Sequence, residues 1–288
     1  MEKYYRFAGV DVTVRIPDRW MYEDARPLAP FRAARAAEPH CFSFEAVTAL
    51  APPSGQPEAV LPGMRVYREG GRFVRYFGTV EDGWQNAYMR AEYGAKEHRV
   101  QVKVSDTAMR IGTKAVLNAL MAEHLVAQRG GFVFHCSFVA CGEKAILFTA
   151  PSGTGKSTQA ELWAKHRDAE IINGDRAAVC TPGNQILAEG IPFSGSSTYC
   201  QNRSLPLGAV VYLSQAPATS IRKLRGVEAF SKLWQGVSVN AWARQDVERV
   251  SATVQQVAAA VPVYHLACLP DESAVIALEE ALRKQGAV

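Results

Sequence analysis

Hydrophobic and polar positions along this chain change their period once. Up to about residue 104 they alternate in short β-type runs, and beyond 106 buried runs are interleaved with stretches at helical spacing. The first part predicts a hairpin or two short strands over residues 5–16, with Gly9 at the turn or a bulge. Further strands are predicted over 41–50, 64–68, 72–77, 84–93 and 98–104. Glu69-Gly70-Gly71 and Glu81-Asp82-Gly83 read as hairpin turns, and the proline-rich 51–57 as a surface loop. Residues 19–38 support no assignment.

The second part opens with a helix through Leu117, Leu120, Met121, His124 and Leu125, ended by Gly130-Gly131. One strong strand over 132–140 follows, then the turn Cys141-Gly142-Glu143 and a strand over 144–149. So short a turn makes the last two antiparallel. Later strands are predicted over 169–175, 177–181, 185–189, 207–213, 220–224 and 262–266. Helices are predicted over 227–234, 245–260 and 273–284, the last capped by Asp271 or Ser273. The expected fold is α/β: a smaller β-rich domain over 1–105, then a domain with a mixed sheet over 106–288.

Composition changes this picture little. The 288 residues are 48% hydrophobic and 21% charged, ordinary globular material, and the net charge of +4 is spread along the chain. Neither nucleic acid nor a membrane is expected as a partner. Arg72, Phe73, Arg75, Tyr76 and Phe77 interleave arginines with aromatics, but an amphipathic strand accounts for them without a nucleic-acid surface. The cysteines at 41, 136, 141, 180, 200 and 268 form no CxxC pair and read as small core residues of a reduced, cytoplasmic protein. No segment has the apolar length of a signal peptide or a membrane span.

The chemistry concentrates in Ala150-Pro151-Ser152-Gly153-Thr154-Gly155-Lys156-Ser157-Thr158, between a buried strand and a helix continuing through residues 159–163. Strand, glycine loop, helix is the context of a P-loop. Gly153 and Gly155 permit torsions that turn successive N–H groups inward, and the helix start adds its positive dipole end. Residues 152–158 are thus the expected nucleotide cradle, Lys156 reaching the β- and γ-phosphates and Ser157 offering its hydroxyl to Mg²⁺. Ala150 stands where the pattern has its first glycine. Asp175, at the tip of the strand over 169–175, can serve the Mg²⁺ shell or take a proton from an attacking hydroxyl; otherwise it is a turn residue. The small, polar segment 190–198 reads as a substrate wrap or a lid.

His135, the loop 151–158, Asn173-Gly174-Asp175-Arg176, and the stretch from Gly190 through Asn202-Arg203 to Leu213 resemble the catalytic domain of HPr kinase/phosphorylase and its relatives. That P-loop group also contains ATP-dependent phosphoenolpyruvate carboxykinase. The resemblance covers residues 106 onward and does not extend to the N-terminal part. It implies phosphoryl transfer from ATP with Mg²⁺ to a serine or other hydroxyl of a protein, peptide or small molecule. It also implies that His135 supports an acidic base near the transferred phosphate; a hydrogen-bonded core histidine is the alternative. Where relatives carry two adjacent acids, this chain has Gly174-Asp175, so Asp175 combines metal and base roles, or Glu189 joins the metal, or the activity is altered. Arg176 and Arg203 are either phosphate-neutralising groups or solvated surface residues. Relatives form oligomers, which leaves a homo-oligomer open. The competing readings are a nucleotide-binding regulatory module without transfer and a carboxykinase proper, the latter disfavoured by the short chain.

Overall fold

The computed structural model describes residues 1–18, 20, 22, 27–78, 83–104 and 111–284. Contacts divide the chain into two units, Met1–Met121 and Ala122–Val288. The boundary expected at 105/106 lies outside the described residues, as do two of the three residues of the turn expected at 81–83.

The first unit is built on one mixed sheet. Its strands are β1 (Glu2–Phe7), β2 (Val10–Arg15), β3 (His40–Val47), β4 (Ala59–Leu61), β5 (Met64–Glu69), β6 (Arg72–Gly78), β7 (Ala87–Tyr93) and β8 (Glu97–Lys103), followed by helix α1 (Thr113–Ala119). The order is β1-β2-β3-β8-β7-β6-β5-β4, with β3 parallel to both β2 and β8. Two hairpins have two-residue turns with both central φ positive, Ala8-Gly9 at 46° and 64° and Gly70-Gly71 at 54° and 81°. Such turns match the right-handed twist of the flanking strands. On β6 the alternation of arginines and aromatics is spent inside the unit. Arg75 is buried, its Nε donating to the Tyr93 hydroxyl at 2.8 Å and an Nη to the Asn118 carbonyl at 2.8 Å, while Arg72 pairs with Glu92 at 3.2 Å.

The second unit begins with α2 (Ala122–Gln128). Strands β9 (Gly131–His135), β10 (Ser137–Cys141) and β11 (Lys144–Thr149) lead into α3 (Lys156–Arg167). Then come β12 (Glu170–Asn173), β13 (Arg176–Cys180), β14 (Leu187–Gly190), β15 (Ser204–Gln215), β16 (Ser220–Leu224) and α4 (Gly226–Trp234). The chain ends with β17 (Val237–Ser238), α5 (Arg244–Ala260), β18 (Val263–Cys268) and α6 (Glu272–Arg283), which Asp271 caps by accepting the Ser273 N–H at 2.9 Å. The sheet path is β12-β10-β11-β15-β14-β13-β9-β17, and β18 pairs with β15 and β16. Strands β11, β15 and β18 run parallel and the turn at 141–143 makes β10 antiparallel to β11. One face packs Phe138, Leu147 and Val210 against Leu233, Val250 and Val254 of α4 and α5. The opposite face packs Phe148, Val211 and Leu266 against Trp163, Leu278 and Leu282 of α3 and α6. These three layers leave the carboxyl end of β11 open, the place where ligands bind in α/β sheets.

Two expectations are corrected. The single helix through 117–125 is two short helices, because Met121 between them takes φ 49° and ends the i to i−4 ladder. The single strand over 132–140 is two strands in different parts of the sheet, β9 beside β13 and β10 between β11 and β12. At the break, the Cys136 N–H donates to the Asp175 carbonyl at 3.0 Å. That bond stitches the break to the residue expected to carry chemistry.

Candidate active site

Helix α3 starts where Gly155 adopts φ 119° and stops where Asp168 adopts φ 50°. Gly153 is also left-handed, at φ 78°, and a Cβ built on either loop glycine meets nothing within 4 Å. Backbone torsion, not crowding, therefore requires glycine there, and the space before the loop is open. Helix α3 is held by Ala160 and Trp163 in the core, and Lys165, His166 and Arg167 complement its negative end. Its positive end faces a cavity of about 510 Å³.

Lys156 is only 8% exposed. Its Nζ donates to the carbonyls of Ala150 at 3.2 Å and Pro151 at 3.5 Å, and no carboxylate among the described residues is within ion-pair distance. Burial pushes its pKa below the ordinary lysine value, and the charge of Asp175 opposes that shift. A buried ammonium held by carbonyls, with its nearest described carboxylate beyond ion-pair distance, carries positive charge that is only partly compensated.

Asp175 reaches the same cavity from the turn between β12 and β13. Its Oδ1 lies 3.5 Å from Nε2 of His135 and its Oδ2 3.2 Å from Nε of Arg176. The His135 ring is the main reason its carboxyl sits below the usual carboxylate range, with Arg176 adding to this and partial burial acting the other way. The backbone of His135 is fixed at both groups: its N–H donates to the Gly236 carbonyl at 2.7 Å and its carbonyl accepts the Thr149 hydroxyl at 3.0 Å.

Of the residues singled out from the sequence, His135, Ser152, Gly153, Gly155, Lys156, Ser157, Thr158 and Asp175 line this one cavity. Thr154 does not, and its N–H is engaged by the Pro151 carbonyl at 3.3 Å. Glu189 is not brought there either. It sits across from Ala178 on β14, with its carboxylate beside the Cys180 thiol, and so leaves the expected metal set. Arg203 pairs with Glu170, and Arg176 lies between Asp175 and Glu123, 3.7 Å from the latter; neither lines the cavity.

Sequence reasoning assigned no role to Asn173, which is fully buried. Its Oδ1 accepts the N–H groups of Asp175 at 2.9 Å and Arg176 at 3.0 Å, and its Nδ2 donates to the carbonyls of Ile191 at 3.1 Å and Phe193 at 3.3 Å. The signal was legible as Asn before Gly-Asp, a side chain suited to bonding its own backbone two residues on. The second pair of bonds anchors the strap 191–200, whose Ser194, Ser196, Ser197, Thr198 and Tyr199 line the cavity opposite the loop. The strap sits tightly: a Cβ on Gly174 would stand 2.1 Å from Ser197 Oγ, and one on Gly195 would stand 2.9 Å from Asp175 Cγ.

No family model matches this chain, and no curated protein matches it. Among solved structures it is similar to the Hpr(Ser) kinase/phosphatase from Coxiella burnetii. That match covers 53% of this chain and 95% of the other, at 11% identity and a TM-score of 0.31. So slight a likeness leaves the chemistry to be read from the side chains themselves.

Proposed function

We propose that the second unit is an ATP-dependent kinase that moves the γ-phosphate to a hydroxyl of a protein, a peptide or a small molecule. The observation that carries this reading is Lys156, a buried cation without a carboxylate partner, at the mouth of a left-handed glycine loop whose concavity is open. A polyphosphate supplies the missing negative charge, and N–H groups at the start of α3 add to its binding.

Phosphoryl transfer asks little covalent chemistry of a protein and depends on positioning and charge neutralisation. Lys156 would draw charge from the phosphates. Asp175, held ionised by His135, would accept the proton of the attacking hydroxyl. Ser157 and Asp175 would share Mg²⁺, which when bound neutralises phosphate charge. Such an ion takes most of its ligands from water and phosphate oxygens, so two protein oxygens suit it. Among the described residues no group of three or more His, Cys, Asp or Glu side chains is gathered for a metal.

Nucleotide binding without transfer is the second reading, favoured by Gly195 standing against the Asp175 carboxylate. Titration of the full chain with MgATP, followed by measurement of ADP formed with and without hydroxyl acceptors, tests both. Saturable binding with ADP formation supports the kinase, saturable binding without it supports the module, and absence of binding removes both.

A further inference from the structure

The strap 191–200 places four aliphatic hydroxyls, beside the Tyr199 phenol, in the cavity that holds Lys156 and Asp175. They are not equivalent. Ser194 is buried, and its hydroxyl lies at the Cys200 thiol. Ser196 and Thr198 are exposed at the tip. Ser197 Oγ packs directly on Gly174, the residue before Asp175, at a position that only a glycine leaves free. That oxygen accepts the Tyr199 N–H at 3.1 Å, which orients the hydroxyl and leaves its proton for another acceptor.

The strap is also tied down at both ends. Asn173 holds the carbonyls of Ile191 and Phe193, and it bridges to Cys200. Gln201 N–H donates to the Ile172 carbonyl at 3.0 Å, and Gly190 N–H to the Arg203 carbonyl at 2.8 Å. A hydroxyl carried on such a strap stays in the cavity that its own chain's Asp175 also lines. Holding the two groups together replaces a bimolecular encounter by a unimolecular one.

We infer that Ser197 is the chain's own phosphate acceptor, modified in cis by MgATP bound at the glycine loop; the inference rests on the kinase reading of that site. In the step, Ser197 Oγ forms a bond to the γ-phosphorus and the bond from that phosphorus to the β–γ bridging oxygen breaks. The bridging oxygen leaves with ADP, and the hydroxyl proton passes to the Asp175 carboxylate. The phosphoserine so formed carries close to two negative charges beside Asp175.

The test incubates phosphatase-treated full chain with MgATP, maps phosphate by peptide mass spectrometry, and measures MgATP binding separately. The expected result is phosphate on Ser197 with a first-order rate constant unchanged by tenfold dilution, and none in Lys156→Ala or Asp175→Asn. Binding of MgATP without phosphate on Ser197, or with phosphate on a different residue, overturns the inference and leaves the kinase reading standing. A rate constant that falls in proportion to dilution overturns modification in cis. Phosphate on Ser197 that persists in Lys156→Ala, or a wild-type chain that binds no MgATP, overturns the reading of the site itself.

Discussion

The side-chain oxygen of Asn173 accepts the backbone N–H of Asp175 at 2.9 Å, while its amide nitrogen holds the strap through Ile191 and Phe193. One buried side chain thus sets both the carboxylate and the segment that covers it. Asn173→Ala removes the partner of two N–H groups and of the Phe193 carbonyl, while the Ile191 carbonyl keeps the Phe193 N–H; the cost is about 1–3 kcal/mol for each orphaned group that water does not reach. Asn173→Asp keeps an acceptor for Asp175 but sets a carboxylate against two carbonyl oxygens. Urea unfolding is expected to show lower midpoints for both variants, with phosphoryl transfer lost more completely than nucleotide binding.

Lys156→Met removes a buried charge and leaves a chain of similar length. Without nucleotide, the variant is expected to be at least as stable as wild type, since the ammonium is desolvated without a carboxylate partner. The stabilisation that MgATP gives wild type, about 2.7 kcal/mol at a hundredfold excess over Kd, is expected to vanish. Thermal unfolding with and without MgATP measures both effects.

The same lysine predicts a pH dependence. Its folded pKa is below the unfolded value near 10.5, so the unfolded chain binds more protons in that interval and stability rises as pH climbs through it. Lys156→Met is expected to flatten this rise between neutral pH and 10.5. Asp175 behaves in the complementary way. Its folded pKa is below 3.8, so its contribution is complete above that value and is lost as pH falls through the folded pKa. Transfer rates are accordingly expected to show no limb from Asp175 across pH 5 to 8, and an acid limb there would contradict the ionised base.

Gly174→Ala drives a methyl into Ser197, to 2.1 Å from its Oγ and 2.7 Å from its Cβ, so that rotating the hydroxyl does not by itself relieve the clash. The expected cost is about 1–3 kcal/mol, as for other overpacked sites. Ser197→Gly in the same chain is expected to recover most of it, giving a coupling energy that a double-mutant cycle reads directly. Additive effects would show that the strap does not rest on Gly174 in solution.

The elements legible in the sequence were those whose signals are local. Gly9 and Gly70-Gly71 marked their hairpins because a two-residue turn needs positive φ. The run 144–149, the glycines at 153 and 155 and the polar face that follows announced strand, loop and helix, since each depends on torsions and periodicity within a few residues. The run 132–140 looked like one strand because every residue in it except His135 is apolar or small. Whether it changes partners at Cys136 depends on Asp175, some forty positions away.

By itself the amino-acid order determined that Lys156 follows two conformationally free glycines at a strand-to-helix junction, and that Asp175 closes a later short strand. Only the tertiary structure decided that Asp175 and His135 meet at one cavity with Lys156, that Glu189 lies elsewhere, and that Gly174 makes room for Ser197. Backbone torsion is encoded next to the residue that needs it, whereas the meeting of side chains requires sheet order, and sheet order follows from burying two apolar faces at once.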